Sequence, residues 1–228
     1  MSERHIVIAI DGPAASGKSS TAQWVARRLG FFHVDSGSLY RAATVLLIQR
    51  QIDPELWTDD QVLEGAPRIA FVPAEATFVP LIDGAHVDEA LRGSVVTQNV
   101  WRVAQMQRVR DWVNDQVRLA AQGRNVVVDG RDIGTTVFPD ADLKIFLIAD
   151  PWERARRRLV QRLARGPSDD EIADETDRIT RRDAYDATQS ARASDSVLID
   201  TTYLTQEDQV DRIVALAHAA ARRDAQPE

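Results

Sequence analysis

Apolar and polar positions along this chain fall into blocks whose period switches between that of a strand and that of a helix. Residues 5–10 (HIVIAI) form a short, largely β-branched run, the length of a buried parallel strand. Residues 18–29 have helical spacing: Ala22, Val25, Ala26 and Leu29 share one face, and Gly30 closes the segment. Residues 31–34 read as a second strand and 38–49 as a second helix. Two further apolar strands follow at 125–129 (NVVVD) and 143–148 (LKIFLI), a fifth at 197–199, and an amphipathic closing helix at 207–222. Strands that alternate with helices predict an α/β fold, a parallel sheet with helices on both faces.

One stretch breaks the rhythm. Residues 68–72, 77–82 and 86–87 are short and close, separated by Pro73-Ala74-Glu75 and Asp83-Gly84, and predict a small antiparallel sheet with Pro80 on an edge strand. Helices are expected at 94–104 and 108–122, and a helix pair at 151–165 and 169–187, joined at Gly166-Pro167. The expected organisation is a core with 1–62, an inserted subdomain 63–103, core again over 104–150, a helix pair 151–187, core over 188–222, and a frayed polar tail 223–228. No internal repeat is visible.

The turn after the first strand carries chemistry. Gly12-Pro13-Ala14-Ala15-Ser16-Gly17-Lys18-Ser19 fits G-x-x-x-x-G-K-[ST] at every fixed position, between an apolar strand and a helix, as the motif requires. Glycines let successive N–H groups point at phosphate oxygens, and the helix N-terminus adds its positive dipole end. Lys18 can reach the β- and γ-phosphates and Ser19 can ligate Mg²⁺, with Ser20 adjoining. A nucleoside triphosphate is the leading ligand; the motif does not name a second substrate.

Composition narrows the class. Hydrophobic residues at 44% and charged residues at 28% suit a folded domain, not a disordered or fibrous chain. Cys is absent, which excludes disulfides and thiolate chemistry. No apolar run approaches the roughly 18 residues that span a bilayer, and no cleavable leader is evident; a cytoplasmic protein without membrane contact is expected. The net charge of −7 argues against a nucleic-acid partner. Its distribution is uneven: residues 154–165 hold six Arg and no acid, and 169–177 hold six acids. Such blocks read either as solvated helical faces or as helices that close over phosphates.

Three other places are candidate ligand sites. Asp35-Ser36-Gly37-Ser38-Leu39-Tyr40-Arg41 follows the second strand, where Arg41 can face an anion one turn beyond Gly37; a plain helix cap with a surface ion pair explains it equally. Asp129-Gly130-Arg131-Asp132 ends another buried strand and reads as a ligand or metal loop, or as a turn with a local ion pair. Asp129 or Asp35 could hold Mg²⁺ through water. Arg154, Arg157 and Arg158 on the first helix of the pair, with Arg181, Arg182 and Asp186 near the end of the second, could supply charge and expel water on closure.

IDGP-x-x-SGKS, DSGSLYR, DGRDIGTTVFPDA, KIFL and RRDAYD, in this order, resemble the bacterial cytidylate kinases over roughly residues 4–217. The phosphate loop alone is shared by many kinases; DSG-x-x-YR together with DGRD-x-G-T-x-VFP-x-A is far more specific. The resemblance implies a P-loop nucleoside-monophosphate-kinase fold with a mobile lid at 151–187 and an acceptor subdomain at 63–103. It implies transfer of the γ-phosphoryl of ATP, with Mg²⁺, to CMP or dCMP. By resemblance Arg41 and Arg131 would hold the CMP phosphate with Ser36 nearby, Arg110 and Asp132 would read cytosine, and Arg182 and Asp186 would lie against sugar and phosphate. Lys18, Arg131, Arg154, Arg158 and Arg182 would be the catalytic cations, with Arg157 on the donor nucleotide. A monomer is expected.

Three positions depart from the family pattern. Trp101 stands where a Ser that contacts the base is expected, either stacking on the base or filling the core. Gln189 stands where a phosphate Arg is common, and residues 190–195 are shorter than the Pro-rich version. Two other readings compete. One is a P-loop kinase for another nucleoside monophosphate or for a hydroxylated metabolite, and a hydroxyl acceptor would need a carboxylate base, for which Asp35 is the candidate. A nucleotide-binding switch would bind ATP without acceptor-dependent turnover.

Overall fold

The computed structural model describes residues 5–163 and 165–224. The chain divides into two compact units, one running to Phe31 and resuming at Asn125, the other spanning Phe32–Arg124. The first unit opens with β1 (Val7–Asp11) and α1 (Lys18–Leu29). The second contains β2 (Phe32–Asp35), α2 (Ser36–Gln49), α3 (Asp59–Gly65), β3 (Ile69–Ala74), β4 (Thr77–Ile82), β5 (Ala85–His86), α4 (Asp88–Arg92), α5 (Ser94–Ala104) and α6 (Gln107–Ala121). The first unit resumes with β6 (Val126–Gly130), β7 (Leu143–Ile148), α7 (Pro151–Arg162), α8 (Asp169–Asp186), β8 (Val197–Asp200) and α9 (Gln206–Asp224).

In the first unit the strands lie side by side in the order β6-β1-β7-β8, every pair parallel. Their apolar runs are continuous because a parallel sheet is covered on both faces; Ile8, Ala9, Ile10 and Val126 to Val128 are all fully buried. One face carries the main core of this unit, where Ile8, Ile10, Val127, Ile145, Leu147 and Ile199 meet Ala22 and Val25 of α1 and Val210 and Ile213 of α9. Gly30 ends α1 in the left-handed conformation (φ 69°), with its N–H on the last carbonyls of the helix. The tail expected to fray from 223 is helical to Asp224, and residues 225–228 lie outside the described residues.

The helix pair has a core of its own, Ala155 and Leu159 of α7 against Ile172 and Ile179 of α8. Each helix starts on a good cap. Asp150 accepts from the N–H groups of Trp152 (2.9 Å) and Glu153 (3.3 Å) ahead of Pro151. Ser168 and Glu171 form a reciprocal capping box. α7 stops at Arg162, earlier than the expected 165, because Leu163 turns extended and packs into the pair's core.

In the second unit β3 and β4 form the antiparallel hairpin read from the sequence, and β5 adds to β4. The Asp83-Gly84 turn places both residues at positive φ (51° and 80°). Pro73 and Ala74 belong to β3, so the first turn contracts to Glu75-Ala76. Pro80 is not on an edge strand. β4 pairs with β3 along its length, and on its other side with β2 at Thr77 and with β5 at Leu81 and Ile82; Pro80 falls between those two pairings. α3, α4 and short turns at Pro54–Leu56 and Ala66–Arg68 carry too few periodic positions to show in the sequence.

Leu147 is fully buried in the main core of the first unit, so Leu147→Ala should lower unfolding free energy by about 2–5 kcal/mol, read from urea denaturation.

Candidate active site

The phosphate loop lies entirely within the first unit. β1 delivers the chain to Gly12, where a Cβ would stand 2.3 Å from the Leu147 carbonyl oxygen, so no side chain fits. The loop bends through Ala15 (φ 58°) and Gly17 (φ 88°), and Gly17 is the N-cap of α1. The Lys18 ammonium donates to the Pro13 carbonyl at 3.2 Å, which lays it over the loop. Ser16 Oγ is buried and finds no hydrogen-bond partner among the described residues. Ser20 Oγ donates to Gly17 O (2.8 Å) and to Gln206 of α9 (3.1 Å), a scaffolding role.

Ser19 Oγ donates to Asp129 Oδ2 at 2.5 Å. Asp129 is buried at the end of β6, beside β1 in the sheet. Of the two carboxylates considered for Mg²⁺, Asp129 is the one bonded to Ser19. The donor set is a hydroxyl and a carboxylate, hard oxygen ligands of the kind Mg²⁺ takes. Asp35 is the N-cap of α2 in the second unit, without a capping bond from its side chain.

The arginines of this unit are held by carboxylates. Arg154 is buried; its guanidinium donates to Ala14 O (2.8 Å), Asp183 Oδ2 (2.6 Å) and Ala149 O (3.1 Å). Asp183 Oδ1 accepts from the Ala14 N–H at 3.1 Å, so one carboxylate and one guanidinium tie α7 and α8 to the phosphate loop. Arg131 donates to Asp186 Oδ2 (3.1 Å) and to Gly12 O (3.0 Å), and Arg182 approaches the same Asp186 oxygen at 3.7 Å. Arg158 pairs with Glu175 at 3.1 Å, and Arg162 and Arg178 also lie within 4 Å of that carboxylate. Arg157 instead donates to the carbonyls of Thr201 (2.5 Å) and Thr202 (2.9 Å). The acid block is therefore not simply a solvated face, since Glu175 is buried among three arginines.

Asp132 begins the turn after β6, and its carbonyl accepts from Thr136 N–H at 2.8 Å. Asp11, the acid of IDGP to which the sequence assigns no role, is buried at the end of β1. Its carboxylate accepts from the N–H groups of Ile133 (2.9 Å) and Gly134 (2.8 Å). Burial pushes its carboxyl up from 3.8 to about 6; the two backbone bonds and Lys18 pull it down, and Asp132 adds to the rise.

The second unit holds the remaining candidates. Ser36 is the buried first residue of α2. Arg41 of α2 donates to Leu91 O (3.1 Å) and Thr97 Oγ1 (3.3 Å), bracing α4 and α5. Arg110 is buried on α6 and donates to Ala104 O at 3.1 Å. Trp101 of α5 is half-buried, with the Arg102 guanidinium 4.7 Å from its ring centre. Gln189 ends the short helical turn after α8.

A parallel sheet, a glycine-bent loop capping a helix, and Lys and Ser at its start define a P-loop nucleotide-binding protein. The family profile described as cytidylate kinase matches residues 8–219. A cytidylate kinase of Limosilactobacillus fermentum is 42% identical over 214 residues, covering 91% of this chain and 93% of that protein. One of Geobacillus kaustophilus is 42% identical over 224 residues, 95% of this chain and 98% of that protein. A solved, uncharacterized protein of Eubacterium ventriosum shares the fold alone: TM-score 0.50 and 13% identity over 93% of this chain and 98% of that one. The chain belongs to the cytidylate kinase family. It is an enzyme of phosphoryl transfer, with ATP as donor.

The raised pKa of Asp11 means that the folded protein holds this proton more tightly than the unfolded chain. Its contribution is fully present below about pH 4 and is lost as pH rises through about 6. The stability of Asp11→Asn relative to the parent should therefore rise by on the order of 3 kcal/mol from pH 4 to pH 7, read from urea midpoints.

Proposed function

We propose that the acceptor is CMP or dCMP and that the products are ADP with CDP or dCDP. Membership of the family carries this reading, and the side chains suit it. Cytosine offers an exocyclic amine donor, which the Asp132 carboxylate can accept, and ring acceptors suited to the Arg110 guanidinium. Uracil would present a carbonyl to Asp132 and leave a carboxylate without its donor, a loss of several kcal/mol in a closed site. By family resemblance, Arg41, Ser36 and Arg131 serve the acceptor phosphate; Arg182 and Asp186 serve its sugar and phosphate.

The nucleophile is an oxygen of the acceptor phosphate, already largely dianionic at pH 7, so no general base takes part. The loop from Gly12 through Ser20 cradles the donor phosphates with backbone N–H groups and the α1 dipole. Lys18, Arg131, Arg154, Arg158 and Arg182 neutralise charge on the transferring group, and Arg157 serves the donor nucleotide. Ser19 and Asp129 would hold Mg²⁺. When bound, that ion screens the β- and γ-phosphate oxygens. The helix pair, residues 151–187, acts as the lid, and 63–103 as the acceptor subdomain. The excess of acid supports small nucleotides over nucleic acid as partners, and a cytoplasmic monomer fits an enzyme that acts on free nucleotides.

Coupled ADP production from ATP-Mg²⁺ with CMP, dCMP, UMP and AMP in parallel tests this. Fast turnover with CMP or dCMP and little with UMP is expected; equal turnover with UMP would overturn the role of Asp132, and no acceptor-dependent turnover would overturn the acceptor. Lys18→Ala should cost about three orders of magnitude or more in kcat. Asp132→Asn should reduce kcat/KM for CMP while KM for ATP stays within about twofold.

A further inference from the structure

Asp11 is the last residue of β1, and no step described above uses its side chain. Both of its carboxylate oxygens accept hydrogen bonds from consecutive backbone N–H groups, Ile133 on Oδ1 and Gly134 on Oδ2. The Ile133 N–H belongs to the peptide plane whose carbonyl is that of Asp132. Fixing that plane, which contains the Asp132 Cα, together with the next one sets the backbone of Ile133 and anchors the atom from which the Asp132 side chain leaves the chain.

A second strand packs against the same turn. A Cβ on Gly134 would meet the Lys144 side chain at 3.2 and 3.3 Å and Asp11 Oδ2 at 3.4 Å. Lys144 is buried on β7, the strand paired to β1, and its ammonium donates to Asp195 at 2.7 Å. Gly134 thus packs against both a carboxylate from one strand and an anchored alkyl chain from the next. A carboxylate is the side chain this grip needs. An amide of the same shape has one acceptor oxygen, and would turn its NH₂ towards the second N–H. Keeping a carboxylate in so dry a place carries a desolvation cost, which the two backbone bonds partly offset.

We propose that Asp11 is a positioning residue for acceptor choice: by holding the Ile133–Gly134 backbone from β1, it sets how Arg131 and Asp132 meet the acceptor nucleotide. This rests on Arg131 and Asp132 being acceptor contacts, as proposed above. Asp11→Asn, Gly134→Ala and Asp132→Asn are compared with the parent for kcat and KM with CMP, UMP and ATP. Asp11→Asn should lower the ratio of kcat/KM for CMP over UMP about tenfold, with KM for ATP within about twofold. Gly134→Ala, which displaces the same turn without changing charge, should lower that ratio in the same direction by about threefold.

A role in the general fold or in the phosphate loop would depress CMP and UMP use equally, or raise KM for ATP as much, and either result overturns the proposal. If Asp11→Asn gives no cooperative melting transition, Gly134→Ala decides: a lowered ratio at unchanged KM for ATP supports the proposal, an unchanged ratio overturns it. Asp132→Asn separates the two layers. If it leaves the CMP-to-UMP ratio unaltered, the acceptor reading fails and takes this proposal with it. If it lowers the ratio and the other two variants do not, only the proposal fails.

Discussion

Gly12 comes so close to the carbonyl of Leu147 that a single carbon atom cannot be added to it. That approach lets the chain leave β1, fold back over the strand ends and enter α1 with its N–H groups turned inward. Lys18, Ser19 and the Ala14 peptide take their places only because the turn is this tight. The neighbouring strands then supply what the loop lacks: Asp129 from β6 for the Ser19 hydroxyl, and the β7 segment against which the glycine rests. A parallel sheet brings these strand ends to one edge by topology alone, without long connecting loops.

Around this edge the dominant problem is electrostatic. Arg131, Arg154, Arg158 and Arg182 are the positive charges that a polyphosphate requires, but held together at low exposure they would repel one another. α8 answers with Glu175, Asp183 and Asp186, each placed on at least one guanidinium. The carboxylates balance the arginines and also aim them. Asp183 goes further and takes the N–H of Ala14, so that loop and helix share one hydrogen-bonded unit. Since partly buried pairs of this kind are costly to break by halves, the arginines are held to a few directions.

Much of this was legible in the sequence. The strands at 143–148 and 77–82 and the helices at 18–29 and 94–104 coincide with the observed elements, because each is an uninterrupted periodic segment with a clear stop. The phosphate loop was legible because its glycines, Lys18 and Ser19 answer to one chemistry. Less was visible where a residue's role depends on what folds against it. Glu175 and Asp183 look like members of an acid-rich surface helix, and only the packing of α7 on α8 shows which acids turn inward. Asp11 reads as the polar end of a strand, since its partners, Ile133 and Gly134, lie far along the chain. Pro80 was misread for a related reason: pairing on the second side of β4 is broken locally, in a way that composition does not record. The candidates Arg41 and Arg110 are now seen to brace their own unit through Leu91, Thr97 and Ala104, a structural duty that does not conflict with binding.

The helix pair carries its own caps and its own core. α7 and α8 each begin on their own cap, share a small apolar core, and join through a short segment containing Gly166 and Pro167. None of their four core residues belongs to the core beneath the sheet. The pair is therefore a cassette. Its length, its surface charge and even its inner packing can drift over evolutionary time, or be exchanged by an engineer, while the sheet keeps its register, so long as Arg154 and Asp183 still find the phosphate loop, Arg157 the Thr201 and Thr202 carbonyls, and Asp186 the Arg131 guanidinium.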